Sequence, residues 1–138
     1  MDKQLVAEKL ETLRVVAARL KSKVPASPDV LRHDIDVQDI VVANLTRAVQ
    51  ICVDIAAHIV SNSEMKPAAT MAQAFEQLVT LGVIDEELGL RMKKATGFRN
   101  VAVHAYNKVN WDIVYSILTV NLSDFTRFAA AIDVRLNR

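Results

Sequence analysis

Residues 44–59 read NLTRAVQICVDIAAHI, and this segment decides the fold class. Around this segment, apolar residues recur with the helical period of about 3.6 from residue 37 to residue 60. The apolar face comprises Ile40, Val41, Leu45, Val49, Val53, Ala56, Ala57 and Val60. The pattern predicts one long amphipathic helix. Its beginning is open, because residues 31–39 (LRHDIDVQD) are compatible with either an extra turn or a loop.

The same periodicity predicts four further helices. They are residues 3–21, residues 68–81 closed by Gly82 as a left-handed cap, a helix N-capped by Asp85, and a helix from Trp111 to the end capped by Asn110. Three glycines and three prolines leave little material for the turns of an all-β fold. We therefore expect an all-α, up-and-down bundle of four main helices plus a short helix, forming a single domain over residues 1–138.

Composition excludes several classes of protein. The 138 residues are 51% hydrophobic and 24% charged with a net charge of +1, which indicates a globular chain without a global field for nucleic acid or membranes. Cys52 is the only cysteine, so we expect a buried, inert thiol in a reducing cytoplasm. The N-terminal MDKQLVAEKLETLRVV has no continuous apolar stretch, which predicts neither a signal peptide nor a membrane span.

Positive charge gathers locally between Arg91 and Trp111. This segment has five cationic residues and no carboxylate: Arg91, Lys93, Lys94, Arg99 and Lys108. A helix C-terminus favours such charge, so a solvated basic face is the plain interpretation. A helical wheel at about 100° per residue adds detail. It predicts one stripe of Lys93, Gly97, Asn100 and His104, and a second stripe of Arg99 and Tyr106.

These residue types suit phosphodiester chemistry. Histidine transfers protons near neutral pH, and the arginine fork matches a phosphate and stabilises charge that develops on it. Because the segment lacks clustered carboxylates, the residues point to metal-independent cleavage with the RNA 2′-hydroxyl as nucleophile. From spacing alone, a histidine bonded to a backbone carbonyl beside an arginine paired elsewhere is the open alternative.

The sequence Arg99-Asn100-x3-His104-x-Tyr106 resembles the Arg-x4-His-x-Tyr motif of the HEPN superfamily, and more narrowly its HepT-like toxin branch. The resemblance covers almost the whole chain. It includes residues 44–59, the MKKATGFRN run of residues 92–100 and the NWDIV opening of the last helix.

The resemblance implies a homodimeric helical bundle whose two motifs form one composite ribonuclease groove. It implies a toxin of a toxin–antitoxin pair that cuts an RNA, with tRNA among the candidates, and needs no cofactor. The implied partner is a minimal nucleotidyltransferase antitoxin, which transfers AMP onto Tyr106 and can form a larger hetero-oligomer with the toxin. Arg99 and His104 would be catalytic, while Asn100, Lys93 and Tyr106 would support RNA binding.

Other interpretations stay open at this point. The chain could be a non-catalytic module that binds a nucleotide or RNA, or that only docks the nucleotidyltransferase. Asp54 and His58 are one turn apart, so we expect a hydrogen-bonded pair rather than a metal site. The acidic residues Asp34, Asp36 and Asp39 would hold Mg²⁺ only if they converged in space. Trp111 and Tyr115 are expected to pack in the core, with RNA base stacking as the alternative.

Overall fold

Seven α-helices carry the fold in the computed structural model, which describes all 138 residues. In chain order they are α1 (Lys3–Ser22), α2 (Pro28–His33), α3 (Ile35–Ser61), α4 (Met71–Thr80), α5 (Glu86–His104), α6 (Trp111–Ser116) and α7 (Ser123–Leu136). A 3₁₀ turn (Tyr106–Lys108) separates α5 from α6, and a π-helical segment (Ile117–Asn121) joins α6 to α7. The chain has no strand, so the predicted all-α class is confirmed.

The long helix α3 is the centre of the bundle, in contact with α1, α2, α4, α5 and α7. Its predicted apolar face is buried except at half-buried Ile40 and exposed Ala57. Cys52 beside it is fully buried, which raises the pKa of the thiol well above its ordinary value. By length and composition α3 could cross a membrane, but 56% of its most apolar 18-residue stretch is buried inside the bundle. Such burial is typical of a core helix in a soluble protein.

Side-chain caps begin six of the seven α-helices. Asp34 follows the end of α2, and its carboxylate accepts a hydrogen bond from the Val37 backbone N–H at 3.1 Å. The ambiguous residues 31–39 are thus a helix end, a single cap and a new helix start. The Asp85 cap is confirmed by a 2.7 Å hydrogen bond from the Leu88 N–H, and Gly82 has the predicted positive φ of 74°.

The last helix is not continuous, so that prediction is wrong. Within the π-helical segment the Thr119 hydroxyl donates to the Tyr115 carbonyl oxygen at 2.9 Å, a side-chain bond of the kind that bends helices. After this widened turn, α7 packs on α1 and α5. Phe128 of α7 is fully buried and meets Phe75 of α4 edge to face, with ring centroids 5.9 Å apart.

Candidate active site at the end of α5

The motif of residues 99–106 spans the end of α5. The helix stops at His104, because the Ala105 backbone leaves helical geometry with φ −149° and ψ 55°. Arg99, Asn100 and His104 therefore lie in its last turns, whereas Tyr106 lies in the 3₁₀ turn that follows. The wheel prediction that Tyr106 shares a helical face with Arg99 is wrong for this reason. Neither glycine nor proline marks this helix end in the sequence.

Arg99 and His104 have no polar partner within the chain. His104 and Asn100 are exposed, and Arg99 is half-buried, yet no side-chain hydrogen bond or ion pair engages any of the three. The alternative of a histidine bonded to a carbonyl and an arginine paired elsewhere does not describe this structure. Five residues apart on α5, Arg99 and His104 point about 140° apart around the helix.

Carboxylates outside residues 91–111 pair with part of the basic segment. The Lys93 ammonium lies 2.6 Å from a carboxylate oxygen of Glu76 on α4. Arg91 lies 3.3 Å from Glu87 and 3.5 Å from Asp124. Residues 91–111 contain no carboxylate in the sequence, but three carboxylates lie beside this segment in the folded chain. Of the five cations, Lys94, Arg99 and Lys108 make no ion pair.

Tyr106 is held by two tertiary contacts. Its hydroxyl donates to Asp39 Oδ1 on α3 at 2.9 Å, and its ring meets Trp111 edge-on with centroids 5.9 Å apart. Partial burial, followed by the hydrogen bond and the charge of Asp39, raises the pKa of Tyr106 to about 12. The side chain remains 41% exposed. Sequence reasoning missed this role of Asp39, because nothing local connects positions 67 residues apart.

The acidic residues Asp34, Asp36 and Asp39 do not assemble into a metal site. Asp34 caps α3, Asp39 binds Tyr106, and Asp36 is exposed without a side-chain bond. Nowhere in the chain do three histidine, cysteine or carboxylate side chains lie close enough together to hold a metal ion.

The predicted pairing of Asp54 with His58 is wrong. Asp54 accepts a 2.8 Å hydrogen bond from the Gln50 amide and lies 3.7 Å from the Lys9 ammonium. His58 Nε2 instead accepts a hydrogen bond from the Asp2 backbone N–H at 3.1 Å. Both side chains therefore tie α3 to the N-terminal region, away from the motif.

An open groove of about 750 Å³ runs along α5 beside the motif, between this helix and the α6–α7 region. Leu90, Val101 and Ile113 line it with exposed fractions of 53%, 41% and 56%. Lys94 and Lys108 add positive charge to its lining. We call this surface the α5 groove.

A comparison with protein families assigns the chain to one of them. The model of the family described as "Ribonuclease HepT-like" matches residues 13–132. The chain belongs to the HepT-like ribonuclease family. The predicted membership of the HepT-like family is therefore confirmed. This HepT-like chain is 31% identical over 124 residues to the mRNA nuclease HepT of Shewanella oneidensis, covering 90% of this chain and 92% of that protein. It is also 37% identical over 73 residues to a putative RNase of Archaeoglobus fulgidus, covering 53% and 54% of the two chains.

Solved structures agree with this HepT-like assignment. A toxin–antitoxin crystal structure with AMP-PNP superposes with a TM-score of 0.88 at 28% identity, over 95% of this chain and 98% of the other. A tri-AMPylated Shewanella oneidensis HEPN toxin in complex with an MNT antitoxin gives 0.87 at 30% identity, over 97% and 98%. The cytosolic Bacillus subtilis protein YutE shares the fold alone, with a TM-score of 0.85 at 15% identity over 99% and 91%.

Proposed function

We propose that this chain is the ribonuclease toxin of a toxin–antitoxin pair. In this proposal it acts in the cytoplasm and binds no membrane, and a nucleotidyltransferase neutralises it by transferring AMP to Tyr106. Its membership of the HepT-like family supports the nuclease activity. The tri-AMPylated toxin that it resembles, at 30% identity, supports the mode of neutralisation. The observation that carries the proposal is the pair Arg99 and His104, which lie in the last turns of α5 and make no side-chain hydrogen bond or ion pair within the chain.

The proposed cleavage uses the RNA itself as nucleophile. A 2′-hydroxyl attacks the adjacent phosphorus, the bond to the 5′-oxygen breaks, and a 2′,3′-cyclic phosphate remains. The His104 imidazole moves a proton, either from the attacking hydroxyl or to the leaving oxygen. The Arg99 guanidinium stabilises the charge that builds up on the phosphoryl oxygens. Asn100 and Lys93 bind the RNA, Lys93 after release from Glu76, and no metal ion takes part.

A homodimer supplies what one chain lacks. Positions 99 and 104 lie about 140° apart around α5, so one copy presents Arg99 and His104 from different faces of the helix. A two-fold axis beside α5 would pack the α5 helices of two copies together and bring the second copy's motif to the same cleft. The α5 groove supports this arrangement, because Leu90, Val101 and Ile113 expose apolar surface beside the motif.

The test is expression in cells of the wild type, His104→Ala and the matched control His33→Ala, each with and without the nucleotidyltransferase. His33 is an exposed histidine outside the motif. We expect wild type and His33→Ala to arrest growth and to be rescued by the partner. His104→Ala should be harmless, and its purified form should cleave RNA about 10²–10⁴-fold more slowly because it lacks the proton-transfer group. Full activity in folded His104→Ala would contradict the proposal.

A further inference from the structure

One carboxylate of the fold is bonded to the hydroxyl that the partner would modify. The Tyr106 hydroxyl donates to Asp39 Oδ1 at 2.9 Å, although the two residues belong to different elements and are 67 positions apart. Trp111 contacts the ring edge-on, so the phenol is fixed on a second side. With 41% of Tyr106 exposed, a partner protein can still approach it.

The surrounding charges leave this contact undisturbed. On α2, Arg32 is bound 2.8 Å from Asp112 of α6, and no lysine or arginine lies within ion-pair distance of Asp39. Asp36, which lies on α3 like Asp39, makes no ion pair, and neither does Lys108 in the 3₁₀ turn. The phenol is the single hydrogen-bonded partner of the Asp39 side chain. Asp39 is itself exposed, so water can take up a proton from it.

We propose that Asp39 is the proton acceptor for AMP transfer to Tyr106, so that the toxin itself supplies the base for its own neutralisation. This inference rests on the proposed function. The phenolic oxygen attacks the α-phosphorus of a nucleoside triphosphate held by the nucleotidyltransferase. The new oxygen–phosphorus bond forms as the bond to the pyrophosphate oxygen breaks, and pyrophosphate leaves with the electron pair. The phenolic proton passes to the Asp39 carboxylate and then to water.

The chemistry of the phenol explains why such a base matters. With the pKa of Tyr106 raised to about 12, almost no phenolate exists near neutral pH. Attack must therefore remove the proton as the new bond forms. An aspartate bonded to a hydroxyl nucleophile takes this part in protein kinases, where it accepts the substrate proton during phosphoryl transfer. Groups of this kind contribute about 10²–10⁴-fold to rate.

Asp39→Asn tests the inference, because asparagine keeps the size and one acceptor oxygen but cannot take the proton. The matched control is Asp36→Asn on the same helix. Each variant is incubated with the nucleotidyltransferase and ATP, and the initial rate of AMP gain is followed by intact mass. We expect Asp36→Asn to match the wild type, Asp39→Asn to be at least about tenfold slower near neutral pH, and Asp39→Glu to recover part of the rate.

The pH dependence separates a proton acceptor from a positioning residue. Asparagine removes the Asp39 charge, so the pKa of Tyr106 should fall from about 12 toward its ordinary value, as a phenolate absorbance titration against Tyr106→Phe would show. Hydroxide then replaces the base, and the ratio of Asp39→Asn to wild-type rate should rise with pH. Taking this ratio cancels titration of the partner. A ratio below one that does not change with pH would overturn the base assignment.

The remaining outcomes distinguish this inference from the function on which it rests. If the wild type gains AMP on Tyr106 and folded Asp39→Asn gains it equally fast, the role of Asp39 is overturned while the proposed function stands. If wild type and Tyr106→Phe both gain no AMP, the proposed modification fails and the inference falls with it. Circular dichroism of each variant establishes that the helical fold is intact.

Discussion

At the scale of single residues, Tyr106 combines a tertiary anchor with an accessible hydroxyl. Tyr106→Phe removes the bond to Asp39, but because Asp39 is exposed, water can satisfy the carboxylate and the fold should persist. We expect this variant to remain toxic, to gain no AMP and to escape enzymatic neutralisation. Intact mass after incubation with the partner and ATP is the measurement. Tyr115→Phe is the control, since these are the two tyrosines of the chain, and equal AMP gain in wild type and Tyr106→Phe would place the modification elsewhere.

The catalytic groups proposed here need no metal. Arg99 and His104 would supply charge stabilisation and proton transfer. RNA cleavage should therefore proceed unchanged in excess EDTA and leave a cyclic phosphate, or the 3′-phosphate derived from it, on the product. Mass spectrometry of the cleaved ends reads this out. Activity that disappears in EDTA and returns with Mg²⁺ would contradict the metal-independent mechanism.

At the scale of elements, the packing of α4 on α5 depends on Gly89. A Cβ there would lie 2.5 Å from Val79 Cγ2, whereas a Cβ at Gly97 would meet nothing within 4 Å. Gly89→Ala should force the helices apart, and overpacking of this kind costs about 1–3 kcal/mol. Gly97→Ala is the matched control, which should gain up to about 1 kcal/mol of helix stability. Urea unfolding at one protein concentration compares them, and equal midpoints would refute the close contact.

Local signals predicted the elements well and their tertiary contacts poorly. Asp85, Gly82 and Asn110 act on backbone groups within a few residues, so caps could be inferred from the sequence and are present. Arg99 and His104 were singled out because their spacing resembles the Arg-x4-His-x-Tyr motif, and their catalytic role stays a prediction.

The failures have a common physical cause. Tyr106, which follows the end of α5, contacts Asp39 and Trp111, and the pairing of Lys93 with Glu76 joins two helices. Such contacts depend on how elements meet in space, which helical periodicity does not encode. The π-helical segment interrupted a predicted helix whose composition contains no glycine or proline break.

At the scale of the whole molecule, the proposed dimer can be tested on the α5 groove. Val101 is 41% exposed in the monomer, so Val101→Lys should fold but place a charge in the interface. Val15→Lys on α1, at a position 60% exposed, is the control. We expect wild type and Val15→Lys to sediment as dimers and Val101→Lys to sediment as an inactive monomer. A strictly monomeric wild type that still cleaves RNA would contradict the composite site.

The contact between α1 and α7 has a consequence for synthesis of the protein. These helices close the bundle from opposite ends of the described chain, with Arg14 hydrogen-bonded to Asp133 across the seam. Ribosomes release the N-terminal part first, so α1 must wait for α7 before its apolar face is fully covered. A nascent chain stalled before Ser123 should be protease-sensitive and unable to cut RNA. We therefore expect the proposed nuclease activity to appear only after almost all of the bundle has left the ribosome.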